Sequence, residues 1–185
     1  MTALAQARIK KVLRVGDRAV DATVGNGLDT FFLAHSVGPS GQVIGFDIQD
    51  LAHARTNIVL GEAGLLSRVR LIHSGHEKML EELPRDWPGK VRAIMFNLGY
   101  LPRGNKQIIT RPDTTLPALD AAAVCLQSGG VLTVVLYQGH RGGKTETQAV
   151  KDWAKKLPAQ DYAMEHILPG QYVDDAPELL VVTKQ

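Results

Sequence analysis

The sequence has few of the features that define cross-linked, metal-bound or membrane-spanning proteins. It contains one cysteine, Cys125, among 185 residues, which excludes an internal disulfide and a cysteine-rich metal site. No apolar run approaches the roughly 20 residues that a membrane-spanning helix needs. The six histidines show no metal-ligand spacing. We therefore expect no metal, no membrane partner and a reducing, cytoplasmic location.

A strong charge of either sign is also lacking. The formal net charge is +2, with 44% hydrophobic and 22% charged residues. This balance is ordinary for a soluble globular protein and is too small to establish a nucleic-acid partner. The first segment, MTALAQARIKKVLRVGD, lacks the apolar core and cleavage site of a signal peptide. It predicts a short basic amphipathic helix within residues 1–15, and residues 1–185 are expected to form one domain.

Strand-like apolar runs alternate with helical patterns nearly to the end of the chain. Strands are predicted at 18–23, 42–47, 69–73, 91–96, 131–137, 162–168 and 178–184. Helices are predicted at 30–37, 51–60, 77–84, 116–127 and 146–157, the fourth being ended by Gly129-Gly130. Five βα units predict an α/β fold with a doubly wound (Rossmann-like), seven-stranded, mostly parallel sheet. The last two strands have no helix between them and predict a C-terminal antiparallel hairpin.

The loop VDATVGNGLDT joins the first strand to the first helix of the sheet. Gly25 and Gly27 allow a tight turn and a close approach of backbone to ligand. The free N–H groups at the start of the next helix favour electron-rich ligand atoms. The second strand ends in Asp47, whose carboxylate can accept both hydroxyls of a ribose. The structural alternative is that the glycines only make a turn and Asp47 caps a helix.

Two residues distinguish the nucleotide-like ligands that fit such a loop. A dinucleotide fingerprint needs a third glycine where this chain has Thr30. Asp21, at the end of the first strand, would repel a pyrophosphate and attract the cationic amino-acid end of S-adenosylmethionine. The pattern Asp-x-x-x-Gly-x-Gly therefore favours the methyl donor over NAD.

A second polar strand end lies at MFNLGYLPRGNKQ. The predicted strand order places the fourth strand beside the first, so Asn97 should lie next to the ligand loop. Its amide oxygen and the Leu98 carbonyl can hold the N–H groups of a substrate nitrogen. Tyr100 can stack on a flat base, and Pro102 stiffens the turn. The alternative is a turn-forming Asn-x-Gly with Tyr100 packed on the core.

The segment Asn-Leu-Gly-Tyr resembles the Asn-Pro-Pro-Tyr motif of amino-group methyltransferases at its first and last positions. The set DATVGNGLDT, GFDIQ, SGHE, FNLGYLP and YQGHRGGKTE, in that order, resembles the small bacterial family named "putative rRNA methylase". Members of this family are assigned as tRNA 5-aminomethyl-2-thiouridine methyltransferases with a class I methyltransferase fold. Two departures are Val24, where a cysteine is expected, and Arg103-Gly104-Asn105-Lys106, which replaces a Gly-Gly-Asp-Lys-like loop.

The resemblance implies a role for each matching residue. It implies a donor pocket that holds S-adenosylmethionine and is formed by Asp21, Gly25, Asn26, Gly27, Asp29, Thr30, Asp47, Gln49, His76, Glu77 and Asn97. It implies that Asn97, Leu98 and Tyr100 place the amine, and that the 140–144 loop shapes the acceptor entrance. His140 is the candidate for accepting a proton if a base is needed.

The implied reaction is attack of the exocyclic aminomethyl nitrogen of the wobble base on the sulfonium methyl group. A primary alkylamine has a pKa of about 10, and desolvation together with the sulfonium charge should lower it. Orientation can then supply much of the rate. The implied partner is the tRNA anticodon loop, whose phosphates would meet Arg103, Lys106, Arg111, Arg141 and Lys144.

Three rival functions remain at this point. One is methylation of another amine, in rRNA, a protein or a metabolite, because the donor loop does not distinguish acceptors. Another is an NAD-dependent oxidoreductase, against which Thr30 and Asp21 argue. The third is a non-catalytic binding module. We also expect a homodimer, because a short chain offers little surface for gripping an RNA stem.

Overall fold

A computed structural model describes residues 1–170 and 175–185. Within these residues seven strands form one sheet in the order β3-β2-β1-β4-β5-β7-β6. The strands are β1 Arg18–Asp21, β2 Gln42–Asp47, β3 Val69–His73, β4 Val91–Leu98, β5 Leu126–Leu136, β6 Tyr162–Ile167 and β7 Glu178–Lys184. The helices are α1 Thr2–Val12, α2 Leu28–Ser36, α3 Asp50–Glu62, α4 Met79–Glu82, α5 Pro112–Cys125 and α6 Gly143–Lys155.

The strand directions confirm the predicted doubly wound sheet with a terminal hairpin. Strand β1 pairs in parallel with β2 on one side and β4 on the other, and β5 continues the parallel part. Strand β7 runs antiparallel between β5 and β6. The strand order therefore reverses at β1 and β4, which is where such a sheet opens a crevice.

Alternating side chains divide the sheet between two hydrophobic cores. Val20, Ile44 and Phe96 point to one face and pack with residues of α4, α5 and α6. Their neighbours in sequence, such as Ala19 and Met95, point to the other face and pack with α1, α2 and α3. Because both faces are covered, the central strands are apolar at nearly every position, as buried parallel strands are.

Three predicted boundaries are wrong in this region: both ends of the helix before the fifth strand, and the start of that strand, which lies at Leu126 and not at Val131. Helix α5 begins at Pro112, four residues before the predicted start, because a proline at the first helical position has the right backbone angle and needs no N–H partner. The helix ends at Cys125 instead of Gln127. Gly129-Gly130 lies inside β5, where a register shift between Val91 and Ala93 of the neighbouring strand accommodates it.

Other boundaries differ by a few residues. Strand β1 ends at Asp21 and β4 continues to Leu98, so Asn97 belongs to the strand itself. The predicted N-terminal helix is observed as α1. Among residues 1–170 and 175–185, none of the helices is both long and apolar enough to cross a membrane.

Candidate active site

A pocket of about 780 Å³ opens at the carboxyl ends of β1, β2 and β4. Its walls include both polar strand ends singled out in the sequence. On one side lie residues of the 22–29 loop with Asp47 and His76, and on the other lie Asn97, Tyr100 and His140. We call these sides the donor half and the acceptor half. The two strand tips thus share one cleft, as the predicted strand order requires.

Backbone contacts fix the donor half. The Asp47 carboxylate accepts the N–H of Gly25 and the N–H of Gln49, each at 2.9 Å. Gly27 has φ 79°, and a Cβ there would lie 2.6 Å from the Thr56 hydroxyl oxygen. Only glycine fits this turn without strain, so the loop geometry follows from these few residues.

Asp21 and Thr30 lie beneath the pocket and do not line it. Asp21 is fully buried, and it accepts the Thr30 hydroxyl at 2.6 Å and the Thr23 N–H at 3.1 Å. Burial, together with the nearby charge of Asp29, raises the pKa of Asp21 to about 7. These contacts hold the 21–30 loop together from below. Direct contact of Asp21, Gly27 or Thr30 with a donor stays a prediction.

His76, Glu77, Gln49 and Asn26 line the far side of the donor half. His76 Nδ1 donates to the Ala22 carbonyl at 3.1 Å, since a carbonyl only accepts. Burial lowers the pKa of His76, which favours a neutral ring. The ring also packs against Phe96, with centroids 5.6 Å apart. The neutral His76 ring is suited to contact with an adenine ring, and the carboxylates of Asp47 and Glu77 lie in the same half of the pocket.

Asn97 is held by residues of the donor half. Its backbone N–H donates to the Thr23 hydroxyl at 2.7 Å, and its side-chain Nδ2 donates to Asp29 Oδ2. This fixes the orientation of the Asn97 amide, because a carboxylate only accepts and must therefore be bound by the Nδ2 group, with Oδ1 on the opposite side. Oδ1 accepts the Thr2 hydroxyl at 3.4 Å and keeps a second lone pair. Thr2 and Asn97 both line the pocket.

Helix α1 contributes two residues that the sequence patterns did not single out. Gln6 donates to Asp29 Oδ1 at 2.6 Å, and Thr2 lies within 3.3 Å of the Tyr137 hydroxyl. Asp29 is only 5% exposed. Burial raises the pKa of Asp29, while the hydrogen bonds from Gln6 and Asn97 act in the opposite direction. The amphipathic pattern predicts the helix but not which strand tip it crosses.

Tyr100 and His140 lie together in the acceptor half. Their rings meet edge to face with centroids 6.1 Å apart, and the Lys106 ammonium lies 5.8 Å from the Tyr100 ring centroid. Tyr100 is 41% exposed, so part of its ring is available for stacking. His140 Nε2 is buried with no hydrogen-bond partner among the described residues. Its predicted proton-accepting role is not tested by this geometry.

The predicted basic residues fall into two groups. Arg103 and Lys106 are exposed on the loop after Tyr100, whereas Arg141 and Lys144 line a smaller pocket of about 400 Å³ after β5. Lys144 pairs with Asp175 at 2.9 Å. Arg111 belongs to neither group and lines the main pocket.

Arg55 of α3 is a further residue that the sequence patterns did not single out. Its guanidinium donates to the Asn26 side chain at 2.8 Å, to the Pro102 carbonyl at 3.0 Å and to the Arg103 carbonyl at 3.3 Å. Arg55 therefore ties the donor loop to the basic loop of the acceptor half. Within the described ranges, no group of three or more His, Cys, Asp or Glu side chains has the geometry of a metal site.

The strand order, the crevice at β1 and β4 and the loop after β1 define a class I methyltransferase fold. Residues 43–183 match the family described as "Putative rRNA methylase", and the chain belongs to that family. This confirms the resemblance drawn from the sequence motifs.

Three proteins that are similar to this chain in sequence or structure are named here. It is 42% identical over 161 residues to a protein of Arabidopsis thaliana named "tRNA (mnm(5)s(2)U34)-methyltransferase, chloroplastic", covering 83% of this chain and 58% of that protein. The crystal structure of a "putative rRNA-methylase" from Clostridium thermocellum superposes with TM-score 0.94 at 41% identity, covering 100% of this chain and 97% of that one. A protein from Streptococcus mutans described as "a putative methyltransferase", solved with S-adenosylhomocysteine, gives TM-score 0.89 at 33% identity, covering 100% of this chain and 97% of that one.

Proposed function

We propose that the protein is an S-adenosylmethionine-dependent methyltransferase of the tRNA wobble base, converting 5-aminomethyl-2-thiouridine to 5-methylaminomethyl-2-thiouridine. The observation that carries the proposal is the fixed amide of Asn97. Its Nδ2 is bound to Asp29, and its Oδ1, which accepts the Thr2 hydroxyl at 3.4 Å, keeps a second lone pair in the same pocket as Gly25 and Asp47. An acceptor at that point can hold the N–H group of an amine beside a donor loop.

The donor half fits S-adenosylmethionine, which supplies the methyl group. Asp47 lies at the end of β2, where a ribose binds in folds of this kind, and the neutral His76 ring suits the adenine. A relative from Streptococcus mutans, similar over its whole length, was solved with S-adenosylhomocysteine. These features favour a methyl donor over NAD, because Thr30 occupies the place of the third glycine.

The acceptor half orients the amine and admits a flat base. Asn97 Oδ1 would accept one amine N–H, and the exposed ring of Tyr100 would stack on the base. The amine nitrogen would lose one proton and take the methyl group as the bond from that group to sulfur breaks, which leaves S-adenosylhomocysteine. Arg111 lines the pocket and the Lys106 ammonium lies beside the Tyr100 ring. Nearby positive charge and desolvation both lower the pKa of an amine, so orientation can account for much of the rate.

The tRNA partner is supported by the Arabidopsis relative and by the basic loops. The chain spans 58% of that relative's length, so the acceptor is the part of the proposal that most needs a test. A wobble base is unpaired and enters a pocket at little cost. Arg103, Lys106, Arg141 and Lys144 would meet phosphates of the anticodon loop.

Dimer formation and a cytoplasmic location are also proposed. Light scattering, which measures the mass of the particle in solution, tests dimer formation.

The test is incubation with labelled S-adenosylmethionine and tRNA that carries the 5-aminomethyl wobble base, followed by nucleoside mass analysis. Label in 5-methylaminomethyl-2-thiouridine is expected, and none is expected in tRNA that lacks the aminomethyl group. The Asn97→Ala variant should lose roughly a hundredfold in rate, a much larger loss than any change in its affinity for S-adenosylhomocysteine. If label appears only in rRNA that is added to the same reaction, the acceptor is rRNA and the proposed tRNA acceptor is wrong.

A further inference from the structure

A buried carboxylate lies outside the pocket and has no place in the mechanism above. Glu146 is in the first turn of α6, is 2% exposed and does not line the pocket. It accepts the Thr115 hydroxyl of α5 at 2.6 Å and the Thr110 hydroxyl at 2.7 Å. Burial raises the pKa of Glu146, and the two threonine hydrogen bonds act against that rise.

Thr110 connects this carboxylate to the acceptor segment, which we define as Leu98–Tyr100. The Gly99 N–H donates to the Thr110 hydroxyl oxygen at 2.8 Å, and the Thr110 N–H donates to the Gly99 carbonyl at 2.9 Å. A single bridge between Tyr100 and Ile109 continues the pairing. Both backbone groups of Gly99 are therefore held by one residue.

The direction of these hydrogen bonds gives Glu146 its influence. A hydroxyl has one hydrogen, and the Thr110 hydrogen is given to Glu146, so the Thr110 oxygen faces Gly99 with its lone pairs. Without the carboxylate, the hydroxyl is free to rotate and the Gly99 N–H loses a fixed acceptor. Gly99 has φ 149°, within the region that favours glycine, and it has no side chain to pack, so these two backbone hydrogen bonds hold its conformation.

We propose that Glu146 is a positioning residue that fixes the acceptor segment through Thr110, which rests on the function proposed above. Thr115 binds the same carboxylate but belongs to α5 and does not contact Gly99. The two threonines thus separate two roles of Glu146: holding α5 against α6, and orienting the segment that places the amine. Only the second role passes through Thr110.

The test compares Thr110→Val with Thr115→Val, each of which removes one hydroxyl donor to the same carboxylate without changing side-chain shape. Thr110→Val should lower kcat on aminomethyl tRNA by roughly tenfold to a hundredfold, and its Kd for S-adenosylhomocysteine should stay at the wild-type value. Thr115→Val should keep the wild-type kcat even if its Tm falls as much. Thr110→Ser, which restores the hydroxyl, should recover most of the rate.

A second readout does not depend on activity. Amide hydrogen exchange at Gly99 should be faster in Glu146→Ala and in Thr110→Val, and unchanged in Thr115→Val. Wild-type exchange at Gly99 in Glu146→Ala, or equal loss of kcat in the two valine variants, overturns the positioning role. A wild-type enzyme that methylates no aminomethyl tRNA, with the exchange difference still present, overturns the proposed function instead and leaves the coupling of Glu146 to Gly99 in place.

Discussion

The two halves of the pocket are built in different ways. The donor half is fixed by contacts within the first two strand tips, such as the bonds from the Gly25 and Gln49 N–H groups to Asp47. The acceptor half is held from a distance, by Gln6 through Asp29 and by Glu146 through Thr110. Damage to the donor half should therefore come from changes in its own loop. Damage to the acceptor half should also come from residues that never meet the substrate.

The largest effect on stability is expected from Gly27→Ala in the donor half. A Cβ there would lie 2.6 Å from Thr56 Oγ1 and 3.0 Å from Thr56 Cα, at φ 79°. Left-handed strain and overpacking together should cost about 3 kcal/mol of unfolding free energy, with loss of S-adenosylhomocysteine binding. Chemical denaturation and calorimetry measure both.

Gly64→Ala is the matched control for that variant. Gly64 has φ 67°, and no atom lies within 4 Å of the position that a Cβ would take there, so only the left-handed strain of about 1 kcal/mol applies. Donor affinity should not change. If the two alanine variants lose the same stability, the close approach to Thr56 does not matter.

This contrast also explains how much the sequence could predict. The donor half was predictable because Gly25, Gly27 and Asp47 lie in two consecutive strand–loop units. Within such units, the distance between residues in the sequence indicates where they lie in the fold. The place of Asn97 beside them was predictable from the strand order, since β1 and β4 are neighbours in doubly wound sheets.

The supports of the acceptor half were not predictable in the same way. The bond from Gln6 to Asp29 and the bond from Glu146 to Thr110 join residues far apart in the chain. No periodicity shows which polar residue of an amphipathic helix will face a strand tip. The prediction that Gly129-Gly130 ends a helix was wrong for a related reason. In the sequence, two glycines in a turn cannot be told from two glycines in an irregular strand until the partner strand is known.

The next effect concerns pH and the acid beneath the donor half. Burial raises the pKa of Asp21 to about 7, so the folded protein binds a proton that the unfolded chain releases near pH 4. Stability from this group is present at low pH and is lost as the pH rises from about 4 to about 7, a change of a few kcal/mol.

Asp21→Asn should remove that part of the pH dependence. Urea denaturation at about pH 5 and about pH 8 should show a smaller difference between the two conditions than in the wild type. Asp161→Asn, at an exposed position, is the control and should keep the wild-type difference. A wild-type difference that survives in Asp21→Asn would place the titrating group elsewhere.

A smaller effect is expected in the acceptor half from Gln6→Ala. Gln6 donates to Asp29 and thereby opposes the rise in the pKa of Asp29 caused by burial. Without it the pKa of Asp29 rises further, so the carboxylate that holds Asn97 becomes protonated at a higher pH. On the acid side of the pH profile, the fall in kcat should therefore begin at a higher pH. The value of kcat itself should decrease by roughly fivefold, since a hydrogen bond is worth about 1 kcal/mol.

Lys10→Ala on the exposed side of the same helix controls for general loss of helix stability. Its pH profile should match the wild type. An unchanged profile in Gln6→Ala would show that α1 supports the fold without acting on Asn97.

The smallest effect separates backbone strain from charge in the basic loop. Arg103 has φ 59°, a left-handed conformation that costs about 1 kcal/mol for a residue other than glycine. Arg103→Gly removes that strain, offset in part by greater freedom of the unfolded chain, so stability should rise by a few tenths of a kcal/mol. Arg103→Ala keeps the strain and should not gain stability. Both variants lose the same charge, so both should weaken tRNA binding and reduce its salt slope by about one. If Ala and Gly raise stability equally, charge repulsion in the loop is being relieved, and the left-handed backbone is not the cause.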